Sequence, residues 1–92
     1  MMTLEEIKAG VAGGGISTER AIELLNEYIE ANPNDDAALT YRGMRYWSLN
    51  RRSEAINDYL AAVKANPESE ARNALKVTYD ILNFYNKDLY NP

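Results

Sequence analysis

The side chains that most often carry out chemistry in enzymes are missing from this chain or stand apart in it. Its 92 residues include no cysteine and no histidine. The catalytic thiol, the usual neutral-pH general base and the commonest zinc ligands are therefore excluded. Two carboxylate pairs, Glu5-Glu6 and Asp35-Asp36, stand where helices should begin, and acidic side chains there favour the helix dipole. We expect no catalytic residue, no metal site, no cofactor and no enzymatic activity.

The one basic cluster consists of Arg42, Arg45, Arg51 and Arg52. Such a cluster could hold phosphate or an acidic partner. The alternative, which we favour, is a set of solvated arginines that balance the glutamates between residues 23 and 30. The net charge of −4 and a pI near 4.7 argue against a nucleic-acid binder, which needs surplus positive charge.

The elements that would position these groups belong to one small domain. Apolar residues make up 46% of the chain and charged residues 26%, as in ordinary soluble proteins. The first residues are acidic where a signal peptide is basic. No stretch approaches the roughly 18 apolar residues of a membrane helix. We expect a cytoplasmic protein that does not associate with membranes.

Apolar periodicity and turn residues predict five helices. They cover about residues 3–12, 18–31, 37–49, 54–65 and 70–84 or 86. Ser17 or Thr18, Asp35 or Asp36, Ser53 and Ser69 are the expected N-caps of the last four. The triple glycine at 13–15 predicts a loop, and Asn50 should adopt the left-handed conformation that ends a helix.

Two segments are alike at a spacing of 34 residues. The matching pairs are Ala21 and Ala55, Ile22 and Ile56, Leu25 and Tyr59, Ile29 and Val63, and Pro33 and Pro67. A period of 34 in a helix-turn-helix unit resembles the tetratricopeptide repeat. The resemblance implies an all-α fold in which helical hairpins stack as a fragment of an α-α superhelix, or solenoid.

The central unit resembles the repeat best. Its motif positions hold Leu39, Gly43, Tyr46, Ala55, Tyr59, Ala62 and Pro67. Small residues at two of these positions let the paired helices approach, and aromatic residues fill the crossing. Arg42 departs from the motif, which prefers leucine there. We expect Arg42 to pair with Glu23 or Glu27.

The resemblance divides a single domain into repeat 1 (about 3–33), repeat 2 (about 36–67), a C-terminal capping helix (about 70–86) and a short frayed tail (87–92). At a strict 34-residue offset, the motif positions of the last helix are polar: Asn73, Lys76 and Asp80. Shifted by one they become Ala74, Val77, Thr78 and Ile81, and we prefer this register. Residues 80–88 are also similar to the ending of small, free-standing bacterial members of the family.

In this family, the first helices of successive repeats line a concave groove that binds extended or helical peptides. Mapped here, the resemblance places Thr40, Met44, Trp47, Leu75, Tyr79 and Leu82 in the groove. The surface is apolar and lacks a basic clamp for acidic peptide termini. The expected function is therefore protein–protein interaction. The alternative for Trp47, Leu75 and Leu82 is that they pack on each other as core.

A second functional interpretation concerns the last helix. A capping helix should have a polar outer face, and this one is apolar over much of its circumference. Either the tail folds back over it through Leu89 and Tyr90, or another chain covers it. In the latter case the protein would be a self-associating structural unit, a homodimer through this helix.

Overall fold

The computed structural model describes the backbone of residues 1–90 and the side chains of residues 1–84. Its helices are α1 (Leu4–Ala12), α2 (Thr18–Ala31), α3 (Asp36–Ser48), α4 (Arg52–Ala65) and α5 (Ala71–Tyr90). No strand occurs in residues 1–90. The predicted all-α fold of five helices is confirmed. None of the helices in the described part is both long and apolar enough to cross a membrane.

The first three helices begin at polar side chains that satisfy first-turn N–H groups. At α1, Thr3 and Glu6 form a reciprocal capping box: the Thr3 N–H donates to Glu6 Oε1 at 2.9 Å, and the Glu6 N–H donates to Thr3 Oγ1 at 3.2 Å. Ser17 caps α2, and Asp35 caps α3 by accepting from the Ala38 N–H at 3.1 Å. The prediction for Ser53 is wrong, because α4 begins at Arg52 and its N-cap makes no side-chain bond.

The turn between α3 and α4 depends on a left-handed residue. Asn50 has a φ of 62°, as its place after the helix predicts. This conformation reverses the chain, so that the Arg51 N–H donates to the Tyr46 carbonyl oxygen at 3.0 Å. α3 and α4 therefore form a tight helical hairpin.

The helices pack in sequence, each mainly against the next, with the closest pairing between α3 and α4. Gly43 lies at that crossing. A Cβ atom added to Gly43 would meet Tyr59 Cε1 at 2.6 Å and the Ala55 carbonyl oxygen at 3.2 Å. Leu39 and Ala62 are buried beside it. Because the backbones approach so closely, only a residue without a side chain fits here.

The last helix is longer than expected. α5 continues to Tyr90, past the ends predicted at residue 84 or 86, so the backbone of most of the expected tail is helical. We expected the tail to fold back through the side chains of Leu89 and Tyr90, and these lie outside the described residues. Residues 91 and 92 also lie outside them.

Candidate functional site

An open, mainly apolar crevice lies between α3 and α5 in the described part of the chain. Its volume is about 410 Å³. The lining residues are Met44, Trp47, Tyr59, Glu70, Asn73, Ala74, Val77, Thr78 and Ile81. We call it the α3–α5 crevice. Its walls come from three helices, so it exists only in the folded chain.

A smaller crevice of about 100 Å³ lies between α1 and α3. It is lined by Lys8, Asp36, Ala37, Thr40, Tyr41, Met44 and Glu70. Four residues of α3 that line this smaller crevice have counterparts 33 residues later that line the α3–α5 crevice. The pairs are Ala37 and Glu70, Thr40 and Asn73, Tyr41 and Ala74, and Met44 and Val77. α5 therefore presents to its crevice the same helical positions that α3 presents to the preceding one.

This equivalence corrects the register expected for α5. The preferred register placed Ala74 and Ile81 at an offset of 35 from Leu39 and Tyr46, facing a paired helix. The structure instead gives an offset of 33, and the fully buried Ala38 and Ala71 agree with it. Because each helical residue turns by about 100°, a change of two residues moves a side chain to nearly the opposite face.

The register decides where the expected groove residues lie. Met44 and Trp47, two of the expected groove residues, line the α3–α5 crevice. Thr40 is buried: its hydroxyl donates to the Asp36 carbonyl oxygen at 2.7 Å and lies 3.3 Å from the Ser69 hydroxyl. Its role is to join α3 to the start of α5.

The α5 residues expected in the groove do not line the crevice. Leu75 packs against the core, Leu82 is half-buried, and Tyr79 is exposed on another face. The residues that replace them are Ala74, Val77 and Ile81. They were present in the sequence pattern, but were assigned to helix packing because the offset was set two residues too high.

The same offset identifies residues on the outer face of α5. The residues 33 positions after Leu39, Gly43 and Tyr46 are Arg72, Lys76 and Tyr79. All three are exposed. The exposed large apolar residues of α5 in the described part are Val77 in the crevice wall, Phe84 beyond the crevice and Tyr79 on the outer face. The expectation that too much of the α5 circumference is apolar for a capping helix therefore stays a prediction.

Trp47 contributes to both the core and the crevice. It is partly buried against the core cluster, and its ring also lines the crevice wall. The Arg52 guanidinium lies 5.0 Å from the centre of this ring. A cation over an indole face is attracted by the ring quadrupole, which orients the side chain. Trp47 can therefore be part of the core and part of the crevice wall at the same time.

The prediction that Arg42 pairs with Glu23 or Glu27 is wrong. Arg42 Nε donates to Asp58 Oδ2 at 2.8 Å, Arg42 Nη2 donates to Asp58 Oδ1 at 2.7 Å, and Arg42 Nη1 donates to Asn26 Oδ1 at 3.0 Å. Neither Glu23 nor Glu27 is involved. α4 places a buried carboxylate directly opposite Arg42, and this hydrogen bonding raises the pKa of the guanidinium.

The rest of the basic cluster lies on aromatic rings. Arg51 pairs with Glu54 and lies 5.0 Å from the Tyr46 ring centre. Arg45 and the α1 residue Lys8 lie 5.0 and 5.5 Å from the ring centre of Tyr41. The expectation that this cluster balances the glutamates at 23–30 is therefore wrong; in the described part, the ion pair in that segment is between Arg20 and Glu23.

The described side chains do not bring three carboxylates together in a way that would hold a metal ion. The crevice offers apolar surface from Met44, Trp47 and Val77, with hydrogen-bonding groups from Glu70 and Asn73 at one end.

No family model, curated protein or solved structure gives a significant match to this chain. The relationship to tetratricopeptide repeats therefore stays a prediction that rests on the sequence motif.

Proposed function

We propose that this protein is a tetratricopeptide-repeat-like interaction module that binds a peptide or a helix of a partner protein in the α3–α5 crevice. The observation that supports this best is the convergence of exposed apolar side chains there. Met44 is 40% exposed and Val77 57% exposed, beside the partly buried Trp47 and Ile81. Contiguous exposed apolar surface is typical of interaction sites.

The apolar surface continues beyond the crevice along α5. A second concavity of about 430 Å³ shares Val77 and Ile81 with it and is completed by Asp80 and Phe84. Phe84 is 65% exposed. The two concavities form one strip, which we call the apolar strip. Its length along α5 suits an extended peptide or a helix better than a small molecule.

Each part of the strip has a role in this proposal. Trp47 and Met44 supply the wide apolar contact, and an aromatic anchor of this kind often dominates binding energy. Val77 and Ile81 form the opposite wall. Glu70 and Asn73 fix the position of the bound chain through hydrogen bonds. The proposal is one of binding without catalysis, and neither nucleic acid nor membrane is expected as a partner. A cytoplasmic location stays a prediction.

A peptide-display selection on the immobilised protein tests this proposal. Trp47 is the only tryptophan in the chain, so its fluorescence reports on occupation of the crevice. We expect selected peptides to shift the Trp47 emission on binding. Met44→Glu should weaken their binding about tenfold or more, because it places a charge against apolar contacts.

Leu60→Glu is the matched control. Leu60 on α4 is 48% exposed, close to Met44, but does not line the crevice. This variant should bind the selected peptides unchanged. Peptides whose binding is lost in Leu60→Glu and kept in Met44→Glu would place recognition elsewhere and contradict the proposal.

A further inference from the structure

We propose that the occupant of the α3–α5 crevice is α5 of a second copy of this chain, packed antiparallel to α5 of the first. The two-fold axis of the resulting homodimer would cross α5 at the level of residue 79, on the face opposite the Tyr79 side chain. The inference rests on the proposed function in one respect, since it names the helix that the crevice binds. It is carried by the spacing of the apolar residues, by the length of α5 and by the charges beside the strip.

The apolar strip is complementary to itself. Its residues on α5 are Ala74, Val77, Ile81 and Phe84. Residue 79 lies midway between Val77 and Ile81, and also midway between Ala74 and Phe84. An antiparallel pair centred there puts Val77 opposite the second copy's Ile81 and the small Ala74 opposite the large Phe84. A two-fold interface requires this kind of self-complementary patch, and small-to-large alternation lets facing helices interdigitate.

The length of α5 places Phe84 where it can enter the other copy's crevice. The end of α3, Ser48, corresponds to Ile81 at the 33-residue offset, and α5 continues from there to Tyr90. Phe84 thus lies on a part of α5 that has no counterpart in α3. In the antiparallel pair this part reaches the other copy's Ala74, beside Met44 and Trp47. The crevice would then be filled reciprocally in both copies.

The charges that border the strip fit the same arrangement. Asp80 lines the strip, and Lys76 lies one turn before it, between the strip and the outer face; neither forms an ion pair with a described residue. About a 79-centred axis, Lys76 of one copy comes within about two residues, or roughly 3 Å along the axis, of Asp80 of the other. Two reciprocal ion pairs would flank the apolar contact and fix the antiparallel direction.

Sedimentation equilibrium of the full chain over a wide concentration range tests the inference. We expect a reversible monomer–dimer equilibrium. Val77→Glu should weaken the dimer about tenfold or more, because two new carboxylates would face apolar residues across the interface. Tyr79→Glu is the matched control, because Tyr79 is 44% exposed on the same helix but faces away from the strip. The dissociation constant of this variant's dimer should equal that of the parent protein.

A charge exchange tests the direction of packing. Lys76→Asp and Asp80→Lys should each weaken the dimer, and the double variant should restore it. A chain that stays monomeric at every concentration overturns the inference. So does a dimer that persists in Val77→Glu, or one that is lost in Tyr79→Glu.

The failure of this inference is distinguishable from failure of the proposed function. A monomer whose Trp47 emission responds to selected peptides, with the response lost in Met44→Glu, would show that the crevice binds a different chain. A monomer with no crevice-dependent peptide would contradict both. If the dimer forms as expected, selected crevice peptides should dissociate it.

Discussion

The guanidinium of Arg42 on α3 forms a two-point hydrogen-bonded ion pair with the carboxylate of Asp58 on α4, at 2.8 and 2.7 Å. The Asp58 side chain is 7% exposed and that of Arg42 19%. A third donor of the same guanidinium reaches Asn26 on α2. One arginine thereby connects three helices through a partly buried ion pair.

Removing one partner of this pair should cost more than removing both. Asp58→Ala is expected to lower the free energy of unfolding by about 2–3 kcal/mol, because it leaves the Arg42 guanidinium partly buried without a counter-charge. The double variant Arg42→Leu/Asp58→Leu should recover most of that loss. Urea unfolding measures both. Glu23→Ala, at the exposed Arg20–Glu23 pair, is the control and should have little effect. Equal losses in Asp58→Ala and Glu23→Ala would contradict this account.

The close crossing at Gly43 predicts that even one methyl group is too large. Gly43→Ala should lower the free energy of unfolding by about 1–3 kcal/mol, because its Cβ would overlap the Tyr59 ring and press on the Ala55 carbonyl. In an open helix the same change would stabilise the protein by about 1 kcal/mol. Thermal unfolding shows whether Gly43→Ala lowers or raises the stability. Gly15→Ala, where the nearest atom would be 3.9 Å away, serves as the control.

The left-handed conformation of Asn50 gives a prediction for the α3–α4 turn. Asn50→Ala should destabilise the protein by about 1 kcal/mol, because a φ of 62° brings the Cβ atom close to the following carbonyl oxygen. Asn50→Gly should equal or exceed the parent protein in stability, since glycine has no such contact. Denaturant titration of both variants measures these changes in stability. A less stable glycine variant would show that the Asn50 side chain matters for another reason.

The buried Tyr59 predicts a loss of stability in alkaline solution. Burial raises the pKa of the Tyr59 phenol above its usual value near 10. The neutral phenol is therefore favoured in the folded state, so this stability is complete below pH about 10 and is lost as the pH rises through the raised pKa. Unfolding curves between pH 8 and 11.5 would measure the loss. Tyr59→Phe should reduce the slope of stability against pH in that range, and an unchanged slope would contradict the assignment.

Because Trp47 lies against the core and also in the crevice wall, we predict that replacing it lowers both stability and binding. Trp47→Ala should lower the free energy of unfolding by about 2 kcal/mol, less than for a fully buried tryptophan, because the ring is only partly covered. Met44→Ala, at a 40% exposed position of the same crevice, should cost less than about 1 kcal/mol. Circular dichroism melting of the two variants would distinguish them. Equal costs would mean that Met44 belongs to the core.

Local chemistry was sufficient to predict the helices and most of their boundaries. Ser17 and Asp35 satisfy first-turn N–H groups, and Asn50 accepts a positive φ, because each depends on atoms within a few residues along the chain. The small Gly43 likewise indicated a close crossing before any contact was known. The start of α4 was misplaced, because Ser53 has the right side chain and yet makes no cap.

The composition of the crevice was only partly predictable. Met44 and Trp47 were expected in the groove from the motif-like residues of α3. The α5 wall was not predicted, because the apolar offset of 35 was preferred, whereas the offset of 33 in the structure puts the polar Arg72 and Lys76 at the motif positions. The choice between them depends on which face of α5 meets α4, and buried Ala71 and Thr78 show that face. Periodicity along one helix cannot contain that information.

The sequence by itself thus determined that this protein is five helices joined by tight turns, with paired helices in close contact, because propensity, capping and steric fit are local properties. The tertiary structure decided that Arg42 pairs with Asp58 and that Val77, in place of Tyr79, faces the crevice. Both depend on the rotation of one helix against another. That rotation is set by the packing of all the neighbours together, and a rotation of a fraction of a turn changes which side chains meet.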